Sequence, residues 1–428
     1  MSKDDSKRGE ANVNNENASE KWFANSTRAR STYTIEPSEK TRKKEIDNSR
    51  KSTTCCSDEI ASKSPKKPEP AIKSPVKKKG VLPRPKRPSG ETTTLLPIDE
   101  KFRSRWHIEG LIGKGGYGEI YLAIDMLWAE QVAIKAEPKE RRGCVARRMI
   151  LEQEVLLRMQ GKPHVPMMFG SGHTEKLNFI VLQLLSINLG EIRRLSPTRR
   201  LSKSSVGRII VQAIAALRDL HEIGYLHRDV KPGNMCFGIT PKNRHVLMLL
   251  DFGLVRRFKN TDGEWRAPRL RAGFRGTQRY VSMRVHKRLE QTPTDDITSL
   301  LYSAIELIAG ELPWKDLEKS DDILKIKEAV VSDRIVFHIN NFIFLMFQHY
   351  GHVEMLHQSA RDLFGFVKIV SGLEPNSELP YAILQTHVRK LYAPKRLSDP
   401  YDWEEEFKQA SCEKTVSTDE SNREFLEQ

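Results

Sequence analysis

The chain has 428 residues, 38% of them hydrophobic, and Lys and Arg outnumber Asp and Glu by 71 to 56, a net charge of +15. This length allows one large domain or two smaller ones, and the positive excess implies attraction to something anionic: acidic protein, phosphate, nucleic acid or a membrane surface. The cysteines (Cys55, Cys56, Cys144, Cys236, Cys412) lack the paired spacings of a zinc site, Met1 to Glu20 lacks the apolar centre of a secretory signal, and the longest apolar run, Phe342 to Phe347, is far short of a bilayer span.

Those exclusions lead to the expectation of a soluble, intracellular protein with free thiols, cytoplasmic, with nuclear entry as a second option. Residues 1–100 are rich in Ser, Thr, Asn, Lys and Pro and carry no sustained periodicity, so a disordered tail is expected. Within it, Lys63 to Arg87 is strongly basic, with Glu69 as its single acid and Ser-Pro steps at Ser64 and Ser74. A solvated linker and a nuclear-import or anion-docking segment explain that run equally well, the latter implying an acidic or cytoskeletal partner. No aromatic residue interrupts the run, so stacking on bases has no support.

A shift in composition near Phe102 predicts the start of the folded part. Trp106, Ile108 and Ile112 alternate with polar or small residues, and Glu119 to Ile124 is β-branched and aromatic, so a strand is predicted on each side of Gly113-Lys114-Gly115-Gly116-Tyr117-Gly118. A dinucleotide-binding loop would open a helix instead. A glycine-rich hairpin lets backbone amides approach phosphates, which makes Ile112 to Ile120 a candidate lid over a nucleotide. Val132-Ala133-Ile134-Lys135 follows as a strand ending in a lysine that needs an orienting acid. In the next helical pattern Met149, Glu152, Leu156 and Met159 share a face, which turns Glu152 inward and Glu154 away.

Val206, Ile210, Ala213, Leu217 and Leu220 predict a buried helix stopped at Gly224, just before His227-Arg228-Asp229-Val230-Lys231-Pro232-Gly233-Asn234. There Asp229 can accept a hydrogen bond from an attacking hydroxyl, Lys231 can neutralise a transferring phosphoryl group, and Asn234 can bind a metal through oxygen. The apolar Leu247 to Leu250 then predicts a strand delivering Asp251-Phe252-Gly253, whose carboxylate is a second hard ligand for Mg²⁺. After it, Arg256, Arg257, Lys259, Arg266, Arg269, Arg271, Arg275 and Arg279 crowd one segment and call for anionic partners, either structural acids or substrate.

These motifs, in this order, resemble the protein kinase superfamily over roughly Phe102 to Trp403. The resemblance implies an α+β bilobal protein kinase fold using ATP and Mg²⁺, with a β-rich small lobe at about 101–184, a mainly helical large lobe at about 185–404 and a polar tail at 405–428. Lys231 is similar to the lysine of Ser/Thr kinases. Gly276-Thr277-Gln278-Arg279-Tyr280 resembles the casein kinase one superfamily, and GKGGYGEIYLAIDML, AGFRGTQRY and GELPW its tau-tubulin kinase group. By that resemblance Asp296, at the start of a buried helix Ile297 to Ala309, braces the catalytic loop, while Arg279 and Lys327 bind an anion on acidic or phosphate-primed protein substrates.

Arg284 stands where the family has asparagine, Leu379-Pro380-Tyr381 echoes its Pro-Asp-Tyr, and Asn340 to Leu356 reads as extra length. The expected protein is a monomeric Ser/Thr kinase. A kinase-fold scaffold acting by binding, and a protein that docks through its basic tail, are the competing readings.

Overall fold

The computed structural model describes residues 94–141, 143–332 and 363–404, together with positions 82 and 85. The chain divides into two units, Met1–Lys79 and Gly80–Gln428, and every described residue lies in the second. The expected disordered tail falls almost wholly outside the described residues, as do residues 340–356 and 405–428.

Alternating apolar side chains build the small lobe. Strands β1 (Lys101–Phe102), β2 (Trp106–Lys114), β3 (Glu119–Asp125) and β4 (Glu130–Pro138) follow one another antiparallel, and short strands β5 (Glu140–Arg141) and β6 (Cys144–Val145) form a separate pair. Strands β7 (Met168–His173) and β8 (Leu177–Gln183) complete the main sheet in the order β1-β2-β3-β4-β8-β7. Trp106, Ile108, Tyr121 and Ile134 are buried in it, and Ile180, paired with Lys135, is buried on the other face. Against the sheet packs α1 (Arg148–Met159), whose Met149, Glu152, Val155, Leu156 and Met159 are buried at helical spacing. Each fully buried Leu or Ile contributes about 1.5–3 kcal/mol relative to exposure.

In the large lobe, α2 (Leu189–Leu195) and α3 (Lys203–Glu222) open with Asn188 and Ser202 as caps, whose side-chain oxygens accept from the amides of Glu191 and Ser205. Helix α3 is buried around nearly its whole circumference, including all five residues that predicted it. It stops where Gly224, at φ +82°, turns the chain into β9 (Tyr225–Leu226). Strands β10 (Met235–Phe237) and β11 (Leu247–Leu249) form a hairpin-like pair, and β12 (Arg256–Arg257) pairs with β9.

Beyond the short α4 (Met283–His286) lies α5 (Pro293–Ala309), buried on almost every side. It begins earlier than Ile297, because Thr292 and Asp295 form a capping box and Pro293 takes the first turn, where its missing N–H is no loss. Asp296 is therefore inside the first turn. Helix α6 (Ser320–Ser332), a helical stretch α7 at 363–371 and α8 (Tyr381–Arg389) follow, with α8 packed on α3.

The end of the described chain closes the lobe. Tyr401 and Trp403 stack at 4.5 Å, and both lie against Phe237. The buried Arg208 guanidinium lies 4.1 Å from the Tyr401 ring and donates to the Pro400 carbonyl at 3.0 Å.

Candidate active site

Pairing register decides which side chains of the glycine hairpin face the cleft. Ile120 is directly opposite Lys135, so the two share a face, and Glu119 and Tyr121 point to the other side. Ile112 and Ile120 accordingly stay partly open, whereas Glu119 is buried and accepts from the Leu95 amide at 2.8 Å, from the Tyr121 hydroxyl and from Lys114 at 2.9 Å. Burial works against the Glu119 charge, but these donors hold its carboxyl below the ordinary value. Glu119, expected among the nucleotide contacts, instead braces the hairpin from behind.

The loop closes through a Gly115 N–H to Gly118 carbonyl bond of 2.9 Å. A β-carbon on Gly118 would run into the Ala136 carbonyl, while one on Gly116 would meet nothing. The strands thus approach as closely as glycine allows at the base, and the tip between Gly113 and Gly118 stays open for a ligand to reach its amides.

Below the lid, Lys135 Nζ donates to Glu152 at 2.7 and 2.8 Å and to Asp251 Oδ1 at 3.0 Å. Burial opposes the ammonium, yet the two carboxylates raise its pKa; in the same way partial burial works against the Asp251 charge, but Lys135 holds its carboxyl below the usual range. Asp251 has φ +64° and Arg228 φ +67°, left-handed conformations that cost about 1–3 kcal/mol each and persist because the surroundings hold them.

Asp296 supplies that restraint for the catalytic loop. One of its carboxylate oxygens accepts from the His227 amide at 2.7 Å and His221 Nε2 at 2.9 Å, and the other accepts from the Arg228 amide at 2.8 Å. Burial disfavours the charge of Asp296, but these donors lower its pKa. His221 Nδ1 is in turn 2.6 Å from the Tyr381 hydroxyl, which ties α8 to the loop through the very tripeptide that only echoes its family pattern.

At the centre, Asp229 Oδ2 receives Lys231 Nζ at 2.6 Å and Oδ1 receives the Thr277 hydroxyl at 2.7 Å, while Lys231 also reaches Thr277 at 3.0 Å. Asn234 Nδ2 donates to the Asp229 carbonyl at 2.9 Å, which leaves its amide oxygen as an available donor to a metal. Thr277 lies in the Gly276 to Tyr280 motif, but the sequence assigns it no role, because nothing in the spacing says that a residue 48 positions away meets Asp229.

Among the described residues no three His, Cys, Asp or Glu side chains gather as a metal cage. Asp251 and Asn234 nevertheless offer hard oxygens bordering the Lys135 pocket, a donor set that fits Mg²⁺ when phosphate oxygens complete its shell.

The arginine-rich segment is only partly neutralised. Glu290 pairs with Arg256 at 2.9 Å and Arg269 at 2.6 Å, and Glu306 with Arg279 at 3.2 Å. Burial, then the charges of Arg256, Arg275 and Arg269, press the Arg228 guanidinium down to about 10, so several cations converge beside the catalytic loop. Arg284 donates to the Glu290 carbonyl at 3.0 Å and lies 3.6 Å from Asp295, which shows how the loop accommodates arginine where asparagine was expected.

Lys327 differs from expectation. It is fully enclosed; its Nζ donates to the Gln278 and Val281 carbonyls at 3.0 and 2.7 Å, meets His286 Nε2 at 3.2 Å, and lies 4.9 and 5.0 Å from the Tyr302 and Trp314 rings, which pack edge to face on each other. Its three N–H groups are taken up, so it braces the Gln278 to Val281 stretch from below instead of facing a solvent anion.

The same contact makes a pH prediction. Burial, then Lys327 and Arg288, push His286 from 6.5 to about 4 against weaker opposition from a backbone bond and Asp321. Lys327, itself pulled to about 7 by burial, is charged below that pH. Because the unfolded chain takes up the histidine proton first, the part of the stability that depends on His286 is complete above 6.5 and is lost as pH drops from there through about 4. Melting curves across that window should show a shallower decline for His286→Gln; identical profiles would remove His286 from the account.

The sequence matches the protein kinase domain family over residues 106–365. It is also 48% identical to a casein kinase I candidate of Caenorhabditis elegans over 307 residues, 72% of this chain and 85% of the relative. The chain belongs to the protein kinase family, in its casein kinase I-like superfamily.

A serine/threonine-protein kinase candidate of Dictyostelium discoideum is 34% identical over 71% of this chain and 57% of its own length. The Caenorhabditis elegans serine/threonine-protein kinase spe-6 is 32% identical over 54% of this chain and 60% of its own. This kinase therefore has the bilobal kinase fold, Ser/Thr kinase activity and ATP as its phosphoryl donor. No helix among the described residues is long and apolar enough to cross a membrane.

Proposed function

We propose that this kinase transfers the γ-phosphoryl group of ATP to Ser or Thr hydroxyls of acidic or phosphate-primed proteins, in the manner of the tau-tubulin kinase group. The observation that carries the reading is the Asp229–Lys231–Thr277 cluster on a loop fastened by Asp296. Asp229 accepts the hydrogen bond of the attacking hydroxyl, Lys231 faces the charge of the phosphoryl group in flight, and Thr277 sets the carboxylate's rotamer. Asn234 and Asp251 would hold Mg²⁺, which would supply charge neutralisation at the phosphates, and Lys135, oriented by Glu152, grips the nucleotide. Ile112 to Gly118 and Ile120 form the cover.

Substrate choice rests on Arg256, Arg269 and Arg275 around Arg228, together with Arg279. Arg256, Arg269, Arg275 and Arg279 outnumber Glu290 and Glu306 and favour an acceptor that brings its own negative charge. The kinase acts as a cytoplasmic monomer with access to the nucleus, and its basic tail adds anion or cytoskeletal docking.

Transfer of labelled phosphate from ATP onto casein, tubulin and matched primed and plain peptides, with Mg²⁺ titrated, tests this. In the double variant Arg275→Ala, Arg279→Ala the preference for primed over plain peptide should fall roughly ten-fold, the size of one charge-assisted hydrogen bond. An unchanged ratio would end the anion reading while leaving the kinase reading intact.

A further inference from the structure

Helix α1 begins with Arg147 and Arg148 and has no acid in its own first turn; the Glu137 carboxylate, from β4, accepts from the Met149 amide at 3.1 Å and serves the N-terminus instead. Among the described residues no carboxylate pairs with Arg148. Its guanidinium carbon instead lies over the ring of Tyr117, 3.4 Å from the centroid, and Tyr117 is at the exposed tip of the glycine hairpin.

Arg148 is one helical turn ahead of Glu152, the partner of Lys135. A β-carbon placed on Gly253 would find Asp251 Oδ1 at 3.3 Å, Glu152 Oε2 at 3.6 Å and Arg148 Cβ at 3.9 Å. The lid tip, α1 and the Asp251 turn thus meet around one side chain.

We propose that Arg148 is a positioning residue that latches the nucleotide lid, holding Tyr117 down over the phosphates through a cation–ring stack. This rests on the reading of Gly113 to Gly118 as that lid. The latch couples two conditions of activity: the lid closes firmly only when α1 is in the position that also pairs Glu152 with Lys135. It acts on the residence of the nucleotide and not on the proton transfer at Asp229. The ring face, not the phenol hydroxyl, is the partner, so the stack needs an aromatic residue at position 117 and a planar cation at 148.

A double-mutant cycle on ADP binding separates this from a role in supporting the helix. Calorimetric Kd values and the release rate of a fluorescent ADP should show Arg148→Ala and Tyr117→Ala each weakening ADP about five-fold, as expected for one partly exposed stack. The double variant should be no worse than either single. In a Tyr117→Phe background Arg148→Ala should still cost about five-fold, because the ring remains.

Losses that multiply in the double variant, an Arg148→Ala protein that binds and releases ADP like the wild type, or a loss of coupling with Tyr117→Phe would each overturn the latch. Failure of the wild type to bind ADP would remove the nucleotide reading and the latch together, whereas binding with multiplying losses removes the latch alone.

Discussion

Asp229→Asn should give a folded protein that transfers phosphate some 10²- to 10⁴-fold more slowly, the usual contribution of a positioned proton acceptor. The amide preserves the shape of the side chain: its oxygen can still accept from Lys231, and its NH2, in place of the other oxygen, can donate to the Thr277 hydroxyl oxygen, so both positions that now fix the carboxylate keep a partner. What it cannot do is accept the proton of the attacking hydroxyl. Nucleotide affinity should be nearly unchanged, because Lys135, Glu152 and Asp251 are untouched. Wild-type turnover on every acceptor would mean that the carboxylate is not the base, and no wild-type turnover at all would favour a scaffold.

Lys135→Met should strike both stability and activity. The lysine neutralises Glu152 and Asp251 together, and Glu152 is almost completely buried. Removing one member of a buried ion pair costs about 3–5 kcal/mol, because the charge left behind has no compensation. The melting temperature should fall by roughly 6–12 °C. Adding Glu152→Gln should recover much of that loss while restoring no transfer, since the double variant has no cation for the phosphates. If the double variant stayed as unstable as the single, an explanation other than stranded charge would be needed.

Much of the site could be read in the sequence because its parts are local. The span from Asp229 to Asn234 presents a carboxylate, an ammonium and an amide within one loop, and the face of α1 that turns Glu152 inward follows directly from helical spacing. Strand alternation placed the glycine hairpin for the same reason.

What escaped depends on pairing across long separations or on which face a strand turns. Glu119 stands next to the glycines in sequence, yet strand register sends it away from Ile120 and Lys135. Thr277 and Tyr381 become partners of Asp229 and His221 only once distant segments have packed. The family resemblance implies an anion-binding part for Lys327, but burial beside two aromatic rings is a tertiary fact that composition does not carry. The capping box at Thr292 and Asp295 was the one available local signal that would have moved the start of α5 to Pro293.

The bond between His221 and Tyr381 also bears on how the protein is made. Synthesis runs from the N-terminus, so the whole catalytic loop leaves the ribosome long before Tyr381, which follows His221 by 160 positions. Until α8 arrives, His221 lacks the hydroxyl on its outer nitrogen, and until Pro400 and Tyr401 arrive, the buried guanidinium of Arg208 lacks its carbonyl and its ring. Every catalytic motif is therefore present in the nascent chain well before the lobe that fixes them is closed. A message truncated upstream of Tyr381 encodes all of those motifs but leaves His221 without its hydroxyl partner and the buried Arg208 without its carbonyl and ring.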